Sequence, residues 1–388
     1  YDPATGQRQP LAGNRVPASQ LDPVAQKVIA LVPLPNRAPD NPITQAGNWQ
    51  ETAANPTNRH HHTIRIDHAF SDRTRLFGRY ILVSPDGGDT GATPGFADAD
   101  PDAIDIRNRR QNLSINLTRV ISPVTFATFR AGYNRVHILR AGAGLGKDWP
   151  AQLGVNGVGA DVFPRFNMSN GLVPTTNIGT PGNHNRRAGI QTTEYHADFN
   201  RIEAGHTLKY GGSYIRYNGN EQSRQFASGQ FVFNTRFTNG INASGANIAN
   251  TGMTFAEFLL GRLNQVNAEA SQGNGRRSQY YAAYFEDVWK LSPNFTLTLG
   301  VRYELESPFY EVGNRMNNFD AGVLHPLAGT GDIPAGVKGV ITFPGRNGYG
   351  RRLIHWDANN VSPRFGFNWR PFGTSTTIVR GGFGLFYG

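Results

Sequence analysis

The sequence predicts an all-β protein, an antiparallel β-barrel that crosses a membrane. Three observations predict it. Apolar and polar residues alternate along many short segments. The polar positions carry charged side chains in mid-segment, which a dry core rejects unless they are paired. The links between segments are alternately short and long, as in transmembrane barrels with short periplasmic turns and long extracellular loops.

Composition agrees with this class and excludes others. Of 388 residues, 38% are hydrophobic, and mean hydropathy is −0.45. No run approaches the ~18 apolar residues of a membrane-spanning helix. A barrel strand needs no such run, because only every second residue meets lipid. Glycine (46) and proline (24) are abundant, and cysteine is absent (0), which removes disulfides and thiolate metal sites. The net charge of +10 suits nucleic acid or anionic lipid, so its distribution must choose between them.

The elements follow in order. Asp22 can cap a helix with Pro23 at its first position, running to about Val32 and closed by Pro33. That helix sits in a loop region spanning residues 1–60. Strands are then expected at 64–70 and 76–83, joined by FSDRTR, and at 112–120 and 126–138, joined by VISPVT. IEAGH joins 195–202 to 207–217, and LSPNF joins 280–290 to 296–304. WRPFGTS joins 364–369 to 376–387. Segments 231–237 and 263–268 read as further strands around a short helix at 254–261 that is ended by Gly261. The clearest strand has Phe295, Leu297, Leu299, Val301 and Tyr303 on one face and Thr296, Thr298, Gly300, Arg302 and Glu304 on the other. Aromatic residues such as Tyr303, Trp369 and Tyr387 fall toward strand ends, as in an interfacial girdle. The longest loops cover 84–110, 139–191 and 306–362. The total is about 12 strands, half or more of a large barrel. The chain opens at Tyr1 without an initiator methionine or a signal peptide, and residues 381–388 read as mid-strand. Both ends therefore look cut.

Candidate chemistry is sparse. His60, His61 and His62 invite a metal, but neighbours in a strand point to opposite faces, so at most two share one ion. Glu304 and Glu306 share a face but sit at a strand end, and we read them as non-catalytic. The glycines of 142–146 do not lead from a strand into a helix, so they are loop rather than a phosphate cradle. No enzyme, metal or cofactor is expected. The sharpest feature is a set of basic positions placed near the ends of long loops. These are Arg59, Arg109 with Arg110, Arg186 with Arg187, Arg276 with Arg277, and Arg351 with Arg352. In a barrel all five groups share the outer rim, where Arg can pair with lipopolysaccharide phosphates or an anionic ligand. The plainer reading is that they solvate loop ends. Nucleic-acid binding wants basic and aromatic residues interleaved on one surface, and five separated loops do not supply that.

Several runs together resemble large TonB-dependent outer-membrane receptors of the Oar-like kind. They are YDPATG at 1–6, GNRVPAS at 13–19, DPVA at 22–25 and PLPN at 33–36. RIDHAFSD at 65–72, RLFGRY at 75–80, FAEFLLG at 255–261 and FEDVWK at 285–290 follow. SPN at 292–294, LTLGVRYE at 297–304, SPRFG at 362–366 and RGGFG at 380–384 complete the series in the family's order. The resemblance implies a barrel with an N-terminal plug, often preceded by a carboxypeptidase-regulatory-like domain, and energised by the TonB complex. It makes residues 1–388 a barrel portion, with plug and TonB-contacting segment outside it. The expected partners are outer-membrane lipid, lipopolysaccharide, TonB and an extracellular ligand of unknown kind. The leading expectation is uptake of a large or scarce nutrient. The alternatives are an outer-membrane structural or adhesion protein acting through its long loops, a passive porin, and a soluble β-sandwich.

Overall fold

The computed structural model describes residues 8–42, 45–52, 58–86, 89–90, 96–100, 103–142, 144–168, 177–249, 251–374 and 376–387. The first motif of the resemblance, at 1–6, lies outside them.

Ten long strands form the wall. They are β1 (Asn58–Ser71), β2 (Thr74–Asp86), β3 (Ala103–Ser122), β4 (Thr125–Gly142) and β5 (Asn185–Glu203). Then come β6 (His206–Ser223), β7 (Asn274–Ser292), β8 (Phe295–Glu306), β9 (Val361–Trp369) and β10 (Val379–Gly384). They pair in chain order, all antiparallel, in one 12-stranded sheet. Two-residue strands at Asp89–Thr90 and Tyr310–Glu311 complete its number. The expected strands at 231–237 and 263–268 are not wall. They shrink to Gln230–Val232 and Gln265–Asn267, which join Arg165–Asn167 in a separate three-stranded sheet.

One end of the wall is closed tightly. The loops after Ser71, Ser122, Glu203 and Ser292 each have two residues. Three share one device, a serine whose Oγ accepts the backbone N–H two residues on: Ser71 from Arg73, Ser122 from Val124 and Ser292 from Asn294. The fourth instead puts Ala204 and Gly205 at φ 48° and 85°, the positive pair of a type I′ hairpin turn. The opposite end carries the long connections. Wall strands run further into them than the alternation predicts, because β3 begins at Ala103 and β5 at Asn185.

Directly opposed residues in an antiparallel pair share a face, so register carries each face from strand to strand. One face stacks Leu117–Phe129–Ala197–Gly212–Ala283–Tyr303 in a single row. Its side chains are open, with Phe285 46%, Leu299 44% and Phe365 46% exposed. Apolar exposure on this scale suits lipid rather than water. Tyr195, Tyr214 and Tyr281 form a girdle toward the long-loop end, with ring centroids 6.4 and 5.1 Å apart. Trp289 and Trp369 lie toward the short-turn end.

The main apolar core lies off the wall, at the long-loop end. It gathers Ala25 and Val28 of α1 (Pro23–Ile29), Leu153 of α2 (Trp149–Leu153) and Phe258 of α3 (Thr254–Leu259) around Phe163, Phe166 and Met168. Asp22 caps α1 as its sequence predicts, accepting from Val24 N and Ala25 N at 2.9 and 3.0 Å. Its own N–H donates to Leu259 O at 2.8 Å. So α1 is docked on α3 and is not a free loop helix. Glu257 of α3 is fully buried and accepts from the N–H groups of Phe237 and Thr238. Burial pushes its carboxyl pKa up. Thus the long connections fold into a dome with a core of its own.

Candidate functional site

The inward face of the wall is a charged lattice. Inward positions follow from the same register: Arg130 on β4, Asp198 on β5, Lys209 on β6, Tyr284 and Glu286 on β7, and Arg302 and Glu304 on β8. Arg130 Nη2 meets Asp198 Oδ2 at 2.6 Å, and Tyr284 donates to Asp198 Oδ1 at 2.7 Å. Lys209 meets Glu286 at 3.0 Å, and Arg302 meets Glu304 at 2.8 Å. Tyr280 donates to Glu304 as well. Two hollows of about 300 and 390 Å³ lie against this lattice. Glu304 is thus held by a cation and a phenol.

The basic doublets do not all lie where the alternation predicts. Only Arg351 and Arg352 stand in a loop ahead of a strand. Arg59 is in β1, Arg109 and Arg110 in β3, Arg186 and Arg187 in β5, and Arg276 and Arg277 in β7. Adjacent strand residues point to opposite faces, so each wall doublet is split. Arg109, Arg187 and Arg277 face outward with the apolar rows, whereas Arg110, Arg186 and Arg276 face inward. Arg59 also faces inward, in register with Pro85. Arg186 is paired with Glu221 at 2.7 Å, and Arg276 lies over the Phe309 ring. The triplet is split in the same way. The rings of His60 and His62 stack 6.4 Å apart on one face, and His61 is on the other. Five more arginines outside the doublets face outward: Arg107 and Arg119 on β3, Arg135 on β4, Arg201 on β5 and Arg216 on β6. The signal was period two along the strand, not pairs along the chain.

Arg352 ties the 307–360 connection to the wall, and Arg351 ties that connection to itself. Arg351 donates to Val312 O at 2.6 Å and Arg352 to Gln279 Oε1 at 2.9 Å, and both lie over the Tyr310 ring. Beside them a buried carboxylate, Glu311, ties the same connection to β7. Burial pushes its pKa up, but hydrogen bonds from the Arg315 side chain and from the backbone N–H groups of Arg315, Gly275 and Gly313 outweigh it. The net result is a pKa of about 2. A cup of about 840 Å³ opens in this connection, lined by Phe319, Asp320, Tyr349 and Trp356 among others.

The family model described as the outer membrane beta barrel domain matches residues 1–388. This chain belongs to that outer-membrane β-barrel family. Its apolar face therefore meets the lipid of the outer membrane, and its charged lattice faces the lumen. Comparison with curated proteins gave no match. Among solved structures, the outer-membrane barrel is similar to the outer membrane transporter YddB from Escherichia coli, with TM-score 0.44 and 13% identity over 84% of this chain and 31% of that one. It is similar to the copper transporter OprC, with TM-score 0.42 and 9% identity over 84% and 37%. It is also similar to the open form of the ferric-catecholate import receptor Fiu from E. coli K12, with TM-score 0.41 and 13% identity over 85% and 47%. The chain thus spans a third to a half of the length of these three structures.

Proposed function

We propose that this outer-membrane barrel is the wall of a TonB-dependent receptor that takes up a large or scarce nutrient. The observation that carries the reading is the inward lattice. Charges held in mid-strand by partners on neighbouring strands suit a hydrated lumen filled by a polar plug. The ordered motifs of the Oar-like resemblance support it. The extracellular ligand meets the loop end first, where the cup beside Trp356 offers aromatic and polar contacts. TonB couples through a plug segment outside this wall.

The test is uptake by cells that carry or lack the whole protein, with the nutrient limiting. Uptake is expected to require the protein, TonB and the proton gradient together. Uptake that continues without TonB sinks the reading in favour of a passive pore. A second reading, surface adhesion, is favoured by the long connections, which fold around a core of their own. Adhesion lost with the protein while uptake persists selects it.

A further inference from the structure

The connection between β8 and β9 carries a hairpin of its own. Its strands Asn318–Leu324 and Lys338–Thr342 pair apart from the wall, with Phe319 opposite Ile341. The cup of about 840 Å³ is lined by this hairpin and by the return segment 347–356. Two open rings stand on it. Phe319 is 57% exposed and packs against Gly339, whose φ is 124°. A Cβ at that position would fall 2.4 Å from the tip of the ring, so glycine is what seats the ring there. Trp356 is 45% exposed and holds the Arg352 guanidinium 5.2 Å from its ring centroid. Two residues on, Tyr303 of the wall donates to Ala358 O at 2.9 Å and fixes the segment. The Asp320 carboxylate lies with these rings. It accepts from Gly322 N at 2.8 Å and from the Tyr349 hydroxyl at 2.9 Å. These bonds hold its pKa below the usual carboxylate value, so it is ionised at neutral pH. Among the described residues, the Asn347 amide, the His355 ring and the Trp356 indole N–H have no hydrogen-bond partner.

We propose that this cup binds a neutral oligosaccharide, whose sugar rings stack on Phe319 and Trp356 and whose hydroxyls donate to Asp320. Charge sets the other ligand classes aside. Arg351 and Arg352 line the cup, but their donors are spent inside the protein. Nε and Nη2 of Arg351 donate to Asn314 Oδ1 and Val312 O, and those of Arg352 to Pro308 O and Gln279 Oε1. An anion therefore finds the Nε–Nη2 edge of both guanidinium groups occupied, and it meets Asp320. A cation meets two arginines against one carboxylate. A wholly apolar ligand strips water from Asp320 and returns no hydrogen bond. A pyranose ring satisfies the site on both counts. Its C–H face lies on an aromatic ring, and its edge carries hydroxyls that donate as well as accept. Asp320 takes the donated bonds, and the free N–H groups of Asn347 and Trp356 supply the others. The volume falls in the range of pockets that enclose a whole small ligand. This proposal deepens the uptake reading and rests on it, because it names the class of nutrient captured at the loop end.

The test uses the full-length protein in detergent and titration calorimetry. The probes are maltohexaose, cellohexaose, xylohexaose and mannohexaose, with an uncharged glycine-serine peptide of similar length beside them. The wild type is expected to bind at least one of these sugars, with an affinity indifferent to salt because no net charge is paired. Trp356→Ala and Asp320→Ala should each weaken that binding at least roughly tenfold, and Trp356→Phe should keep most of it. Leu327→Ala, which trims an exposed side chain outside the cup, should leave it intact. No sugar bound by the wild type overturns the proposal and needs no variant to fold. Peptide bound as tightly as sugar, or full affinity in Trp356→Ala, overturns it too. The two readings fail separately. A sugar bound at the cup but taken up without TonB sinks the transport reading and leaves the cup. TonB-dependent uptake with no sugar bound sinks the cup and leaves transport.

Discussion

At the scale of single residues, the chain shows how strongly partners decide a carboxylate's role. Glu311 is 3% exposed, and burial alone would raise its pKa. Four N–H donors around it reverse that outcome. A pKa lowered from 4.5 to about 2 gives stability that is full above the unfolded value and lost as the pH falls from 4.5 toward 2. The shift corresponds to ~3 kcal/mol. The expected consequence is local. Protection of the Gly275 and Gly313 amides, taken as exchange relative to the intrinsic rate at each pH, should fall across that acid window while protection in mid-wall stays high. Glu311→Gln should leave that protection low at neutral pH and unchanged through the window. Protection that does not fall in the wild type would show that the clasp carries no stability.

At the scale of elements, local chemistry writes the turns and register writes the faces. Three short turns hold a serine in the right place, whereas the fourth forces an alanine to a positive φ. Ala204→Gly should relieve that strain and stabilise the β5–β6 hairpin by about 0.5–1 kcal/mol, read as a higher urea midpoint of refolding into lipid vesicles. No gain would mean that the turn is not the positive-φ pair. The faces can be checked on β8, where Leu299 meets lipid and Thr298 the lumen. Leu299→Arg should cost ~2–4 kcal/mol of insertion free energy near the bilayer centre, and Thr298→Arg far less. Equal costs in vesicle refolding would reverse the assignment of faces.

For the whole molecule, the outward surface is layered. A lower zone near the tight turns carries Trp289, Trp369 and the His206–Asp287 pair at 2.8 Å. An apolar band follows, then the tyrosines, then arginine. This order matches a bilayer entered from the turn side. The sheet ends at β1 and β10, which have no further neighbour among the described residues. An edge open to hydrocarbon leaves its N–H and C=O groups unsatisfied, so the ten strands are an arc of wall. At the long-loop end, segments that are distant in sequence gather around one apolar core.

The sequence by itself determined the class, the strand rhythm and the sidedness. Alternation is a local property, visible in any ten residues such as 295–304, and turn chemistry is local too. The helix capped by Asp22 was equally legible, since a cap needs only the next three residues. What only the tertiary structure decided depends on contacts far apart in the chain. Segments 231–237 and 263–268 carry strand-like composition, but Phe231 and Phe233 are drawn to Phe166 and Phe258, and residues 265–267 pair with 230–232, so both leave the wall. Strand ends could not be placed, because pairing with a neighbour extends β3 and β5 through polar residues that lack alternation. That extension also moved the arginine doublets. Read as pairs along the chain they marked loop ends, but once inside strands, each pair was divided by the pleat between lipid and lumen. Arg107, Arg119, Arg135, Arg201 and Arg216, which stand in no doublet, face outward with Arg109, Arg187 and Arg277.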